Sequence, residues 1–308
     1  MPSPQDLHID ALMTNFSIAY RNLAAVGDRL FPFVPVTKQS NKFDILDPTK
    51  DSFRVRDVRR APRSRSNTVE WSNGTDTYFC ESYAVNTGVD DDERANADDP
   101  ISPDTRATQT ALDTMIVARE DRIATKATTA ASYSAANKQT LAGATQWSDA
   151  TSDPRGVFDT AKSAIRIAVQ RIANRSIMPF AVFQKVALVT KVLDAIKYTN
   201  LGVATVGLLQ TYLGIDEIAI AQTIKNTANE GQTAVMADIW GKFCVIAYVE
   251  DGAGLGGMSF GKTFRWGEPT VYRWREDPKH TDFFEPNEKT DEKFVAIDAG
   301  YLVSAAIA

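Results

Sequence analysis

The stretch that most constrains the fold runs from Thr68 to Ala130. Thr68-Val69-Glu70-Trp71 and Thr77-Tyr78-Phe79-Cys80-Glu81-Ser82-Tyr83 are rich in β-branched and aromatic residues, with Ser72-Asn73-Gly74-Thr75 between them. An Asn-Gly pair supplies the positive φ angles of a type I′ turn, so a β-hairpin is expected here. An acidic connection follows, carrying Asp90-Asp91-Asp92-Glu93 and Asp98-Asp99-Pro100. Ser102 is placed to cap a helix, with Pro103 at the first helical position and Asp104 in the first turn. Leu112, Met115, Ile116 and Ile123, with Ala107, Ala111 and Ala127, recur at three- and four-residue steps. They form one apolar stripe on a helix reaching to about Ala130, roughly 40 Å long.

Hairpin arms extending from Arg54 to Val89 would span on the order of 50 Å. A lone two-stranded ribbon is barely stable in water, so something must cover it. The incoming arm carries Arg54, Arg56, Arg59, Arg60, Arg63 and Arg65, and the outgoing arm ends in the aspartate run. These blocks can attract each other within one chain or pair with the opposite blocks of neighbouring copies. A solvated loop of mixed charge fits the same residues.

At 308 residues with 44% hydrophobic content the chain is globular, with room for one large or two modest domains. Its formal net charge of -5 argues against a dedicated nucleic-acid binder, which needs surplus Lys and Arg to displace counterions from phosphates. Cys80 and Cys244 are too few for a disulfide framework or zinc site and read as buried small hydrophobes, as suits a reducing cytoplasm. The start, Met1-Pro2-Ser3-Pro4-Gln5-Asp6, lacks the pattern of a secretory signal, and no apolar run approaches the roughly 20 residues that span a bilayer. No membrane partner is expected.

Before the central stretch, Leu12, Phe16, Ala19, Tyr20 and Leu23 suggest a short amphipathic helix stopped by Gly27. Phe31-Pro32-Phe33-Val34-Pro35-Val36-Thr37 must be extended, and Lys42 to Leu46 reads as a strand. The first fifty residues are an arm with apolar anchors or a leader packed on its own core. After the long helix, Ala131 to Ser152 reads as a loose connection, and Asp153-Pro154 starts a second helix running to Asn174. A buried strand at Ser176 to Phe180 and a third helix with Val186, Val189, Val192, Leu193 and Ile196 complete that unit. From Leu201 a smaller α/β unit is expected, with a helix at Val206 to Gly214 and strands at Glu217 to Ala221 and Lys242 to Val249. A glycine loop and strands at Thr270 to Arg275 and Phe294 to Ile297 close the chain.

Gly256-Gly257-Met258-Ser259-Phe260-Gly261-Lys262-Thr263 matches the phosphate-cradling P-loop letter for letter. That chemistry needs a strand entering the loop and a helix N-terminus facing the phosphates, whereas Trp266-Gly267-Glu268-Pro269 stops any helix near Lys262. Gly252, Gly254 and Gly257 match the dinucleotide fingerprint and lack the same helix, so a mobile glycine loop is preferred. His8 and His280 sit in no nucleophile setting, and the aspartate run lies in a connection. No catalytic, cofactor-binding or metal-ligating residue is assigned.

The order of elements resembles the Hong Kong 97 (HK97-like) fold of tailed-bacteriophage major capsid proteins, an α+β architecture. The resemblance lies in the arm with Gly27-Asp28-Arg29-Leu30-Phe31-Pro32-Phe33-Val34-Pro35-Val36, the hairpin turning at Asn73-Gly74 and the spine-like helix from Ser102, then the later helices, glycine loop and returning strands. It implies an N-terminal arm over residues 1–53, an extended loop over 54–100 and a peripheral domain with spine helix over 101–200. An axial domain over 201–263 and returning strands over 264–308 complete the division. It further implies a shell subunit without catalysis, forming hexamers and pentamers around double-stranded DNA that it touches weakly. Scaffolding, portal and decoration proteins are the other partners, the virion capsid is the final location and the host cytoplasm the place of assembly. Inter-subunit contacts are expected at Arg59, Arg60, Arg63, Arg65, Trp71, Asn73, Asp90, Asp91, Asp92 and Glu93, and Gly252, Gly254, Gly256 and Gly257 near a capsomer axis. No lysine occurs between Lys50 and Lys126, so welding through a lysine on the loop is not expected. Two rivals stand beside this reading: an encapsulin-like nanocompartment subunit, and a nucleotide hydrolase using Lys262 and Thr263.

Overall fold

The computed structural model describes residues 8–19, 24–45, 55, 57–66, 74–97, 102–197, 204–252, 254 and 258–308. Strand β1 (His8–Ile9) and helix α1 (Ala11–Ala19) precede a 3-10 turn at Gly27–Arg29, and β2 (Phe33–Val36) and β3 (Ser40–Ile45) follow. Strands β4 (Gly74–Phe79), β5 (Glu81–Ala84) and β6 (Thr87–Asp90) lead through α2 (Asp91–Ala95) into α3 (Pro103–Thr128). Next come β7 (Lys138–Thr140), α4 (Pro154–Val169), β8 (Arg175–Pro179), α5 (Phe180–Ala187), α6 (Thr190–Ile196), α7 (Val206–Leu213) and β9 (Glu217–Ala221). A small hairpin, β10 (Ile224–Asn226) and β11 (Met236–Asp238), precedes β12 (Cys244–Ala247), β13 (Gly261–Trp266), β14 (Thr270–Glu276), β15 (Thr281–Phe294) and β16 (Gly300–Ser304).

Helix α3 begins as its sequence dictates: the Ser102 hydroxyl accepts the Thr105 N–H, and Pro103 needs no donor there. Its buried stripe comprises Ala107, Ala111, Leu112, Met115, Ile123, Ala124 and Ala127, with Ile116 half-buried. The incoming strand of the expected hairpin lies outside the described residues, and its outgoing strand has a long-range partner. Strand β4 pairs antiparallel with β3, placing Gly74 opposite Ile45 and Phe79 opposite Ser40, whereas Thr68 to Asn73 lie outside the described residues. This pairing brings Phe43 and Tyr78 onto one buried face, their rings 5.0 and 4.6 Å from that of Phe264. A local turn at Asn73-Gly74 cannot supply that long-range burial.

Two larger sheets carry the rest. The first follows the order β1-β14-β15-β13-β2, with β5 and β6 also pairing along β15. The second, β7-β16-β12-β8-β9, draws strands from both sides of residue 200, so the boundary expected there does not divide it. The 131–152 segment is less loose than its composition suggests: β7 pairs with β16, and the fully buried Trp147 donates its backbone N–H to Ala306. Helix α4 is capped by Asp153, which accepts the Gly156 N–H at 3.2 Å, but it ends at Val169 through the left-handed Gln170, well before Asn174. The expected third helix is broken into α5 and α6, where Thr190 turns its N–H to Ala150. At the far end only Phe294 is strand, and Ile297 opens a 3-10 turn.

Of the two readings of the leader, residues 8–19 follow the second and pack on the chain's own sheet. Ile9 pairs with Tyr272, and Thr14 accepts the Val271 N–H. Tyr20 and Leu23 lie outside the described residues. Gly27 serves packing: a Cβ there would stand 2.7 Å from Glu120 Oε2 and 2.9 Å from Ile123 Cδ1.

Candidate functional site

The candidate assembly residues fall on three surfaces. On the first, Arg59, Arg60, Arg63 and Arg65 are all exposed around a turn in which Arg60 Nε donates to the Ser64 carbonyl and Arg63 has φ 64°. Val55 and Val58 on the same segment are 98% and 88% exposed. Among the described residues, none of the four arginines pairs with a carboxylate. Among the described residues this segment, with its exposed valines and arginines, stays open to water. Trp71 and Asn73 lie outside the described residues.

The acidic run is a folded element. Asp90 takes the N-cap position of α2, and Asp91, Asp92 and Glu93 occupy its first turn, where carboxylates meet the positive end of the helix dipole. Among the described residues its partners are not the arm arginines. Asp91 accepts from Arg275 at 3.0 and 2.6 Å, and this hydrogen bonding holds its carboxyl below the usual aspartate range. Arg94 reaches Asp104 at 2.8 Å and Asp282 Oδ2 at 3.0 Å, and Arg273 meets the same Asp282 oxygen at 3.0 Å. Burial acts to raise the Asp282 carboxyl, but the arginines outweigh it and the net shift is downward. Asp90, Asp92 and Glu93 stay exposed and free of ion pairs among the described residues.

The glycine loop rises from a braced base. The Asn174 side chain brackets Val249, donating to its carbonyl at 2.8 Å and accepting its N–H at 2.9 Å. Arg175 forks onto Asp251, and its Nε lies 2.9 Å from Glu217. Gly252 and Gly254 are exposed, Gly252 with φ 69°, and Gly256 and Gly257 lie outside the described residues. The P-loop geometry is overturned. Lys262 and Thr263 stand in β13, a strand paired with β15 and β2, so no helix N-terminus follows the loop. Lys262 is fully buried with its ammonium donating to Gly254 O, and the Thr263 hydroxyl donates to Phe31 O at 2.9 Å. Among the described residues no three or more His, Cys, Asp or Glu side chains are grouped to hold a metal, and no helix is long and apolar enough to cross a membrane.

Behind these surfaces lies a junction that pattern reading missed. Glu120, 3% exposed, accepts the N–H groups of Val26 and Gly27 at 3.1 and 2.8 Å and the indole N–H of Trp240 at 2.6 Å. Burial pushes its carboxyl up, against the lowering effect of those three donors. One residue thereby ties the leader, the spine-like helix α3 and the turn between β11 and β12. The signal was present: Glu120 is the charged interruption on the stripe running through Leu112, Ile116, Ile123 and Ala127. Next to it, Arg119 grips Glu288 at 3.0 Å and Arg122 grips Glu292 at 2.9 Å, bolting α3 across β15.

A long helix bolted across one sheet, beside a second sheet with a braced loop, defines the shell-protein class of the HK97-like fold. A phage-related protein from Bordetella bronchiseptica RB50 superposes with a TM-score of 0.79 at 23% identity, covering 97% of each chain. The capsid of Cyanophage P-SCSP1u gives 0.60 at 11% identity, covering 91% of this chain and 88% of that one. No model in a scan of protein families matches. In sequence, the major capsid protein of Burkholderia phage BcepMu is 30% identical over 310 residues, 96% of either chain. The chain therefore belongs to the major capsid proteins of tailed phages, structural proteins of the virion capsid that associate with their own kind.

Proposed function

We propose that many copies of this chain, arranged as hexamers and pentamers, close into an icosahedral shell around double-stranded DNA, and that the chain catalyses nothing. The full-length relationship to a phage major capsid protein carries this reading. The open arm bearing Val55, Val58 and the four arginines supports a contact with a neighbouring copy, and the exposed Asp90, Asp92 and Glu93 offer charge of the opposite sign. The second sheet and the loop at Gly252 and Gly254 form the part nearest the capsomer axis. That part extends beyond residues 201–263, because β7, β8 and β16 share its sheet. Assembly takes place in the host cytoplasm, with scaffolding, portal and decoration proteins as further partners. The net charge of -5 suits a container wall that holds DNA without gripping it.

The test is electron microscopy of the overexpressed chain, with the contents of purified shells analysed. Closed particles that package DNA during infection are expected. Shells filled with a protein cargo would favour the encapsulin-like reading, and a persistently monomeric product would overturn both.

A further inference from the structure

The hairpin β10–β11 is a ribbon with one face unused. Ile224 pairs with Asp238 and Asn226 with Met236, so these four side chains share a face, while Lys225 and Ala237 share the other. The inner face is tied down: Lys225 forms an ion pair with Asp121 of α3, and at the hairpin base Thr223 donates to the Ala24 carbonyl. The outer face points to water, with Ile224 50% and Met236 63% exposed. Asn226 Oδ1 accepts the Ala228 and Val235 N–H groups, so the ribbon is organised before anything binds it. Two open apolar side chains side by side on one face of a two-stranded ribbon are out of keeping with a free surface.

A second open surface lies elsewhere, on the α5–α6 corner. Phe180, Gln184 and Leu188 recur at four-residue steps as one exposed stripe, Leu188 being 66% exposed, and Leu193 continues it on α6. The charges of the two surfaces are opposite in sign. The ribbon carries Glu230 and Asp238, and the corner carries Lys185 and Lys197 beside the single carboxylate Asp194; none of these is in an ion pair among the described residues. The ribbon is braced on α3, and the corner packs on β8 and β9.

We infer that the outer face of β10–β11 in one copy docks on the α5–α6 corner of the next. Two different patches meeting in this way make a heterologous, head-to-tail contact, and repetition of such a contact closes a ring. The inference rests on the proposed shell assembly and specifies one of its contacts. The occupant of each patch is a second copy, because the two are complementary in both apolar character and charge and are held apart within one chain.

Two full-length variants with different tags, Met236→Cys and Leu188→Cys, are co-expressed, and their particles are treated with a short bismaleimide. Cys80 and Cys244 are buried, which keeps background labelling low. A linked species bearing both tags is expected, with little linkage in particles of either variant alone. Particles that form normally but yield no mixed species would overturn the docking and leave the shell reading intact. Absence of particles from the unaltered chain would defeat the shell reading and this contact with it. As a second readout, Met236→Asp and Leu188→Asp should each lower particle yield by about tenfold, the scale of losing an interface anchor, with the monomer melting as before. Undiminished yield from both would also count against the docking.

Discussion

At the scale of single residues, Glu120 is the most consequential side chain. Its carboxylate satisfies three buried donors, two from the adjacent Val26 and Gly27 and one from Trp240, so Glu120→Ala strands all three and should cost about 2–4 kcal/mol in denaturant unfolding. Glu120→Gln retains an acceptor oxygen but brings an amide against a backbone N–H, and should cost less. The pH dependence has a definite sign. A carboxyl whose folded-state pKa lies above its unfolded one contributes stability that is complete below the unfolded value and is lost as pH rises through the folded value. The advantage of wild type over Glu120→Gln should therefore narrow as pH rises above the ordinary glutamate range. A widening gap would show that burial does not dominate at this carboxylate. Asp282 behaves oppositely: its pKa is lowered, so its contribution holds above the ordinary aspartate value and disappears as pH falls through the folded value.

At the scale of elements, local signals and long-range packing divide the work. Helix α4 owes its start to Asp153, which caps Gly156 and also meets Lys191 of α6 at 2.7 Å. Asp153→Ala should cost about 1 kcal/mol through the lost cap. Asp153→Ser should recover most of that, and the comparison by thermal unfolding separates capping from the half-exposed ion pair. Strand β15 poses the converse case. Its Thr281 to Phe294 sequence is charged and contains Pro286, yet it lies at the centre of its sheet. Register explains the proline: β6 pairs with Thr281 to Phe284 and β5 with Asn287 to Thr290, so Pro286 falls where that ladder passes from one strand to the next. The charges are explained by Arg119 and Arg122, which meet Glu288 and Glu292 from α3.

For the molecule as a whole, surfaces that stay open in one chain are the ones assembly should close. Reversing Arg59, Arg60, Arg63 and Arg65 to Glu should impair particle formation far more than monomer stability, because all four are exposed. Particle yield by sedimentation, set against monomer melting, checks this, and normal yield would remove the arm from the assembly contacts. Neither the unaltered chain nor Lys262→Ala should bind nucleotide, since the Lys262 ammonium is committed to the loop carbonyl at Gly254 and no helix faces a phosphate there. Saturable ATP binding lost in that variant would revive the hydrolase.

Much of this protein was legible in local chemistry. The caps at Ser102 and Asp153 and the apolar stripe of α3 involve residues within a turn or two of one another, so spacing alone determines them. The element order that resembles the capsid fold follows from the same short-range signals. Tertiary structure alone decided the partner of β4, the centrality of β15, the breadth of the second sheet and the junction at Glu120. Each depends on groups up to hundreds of residues apart, as when Lys42 meets Thr77 or Thr263 meets Phe33. A strand's sequence states which face it will bury, but which strand lies beside it is settled only when burial and hydrogen bonding are satisfied over the entire chain.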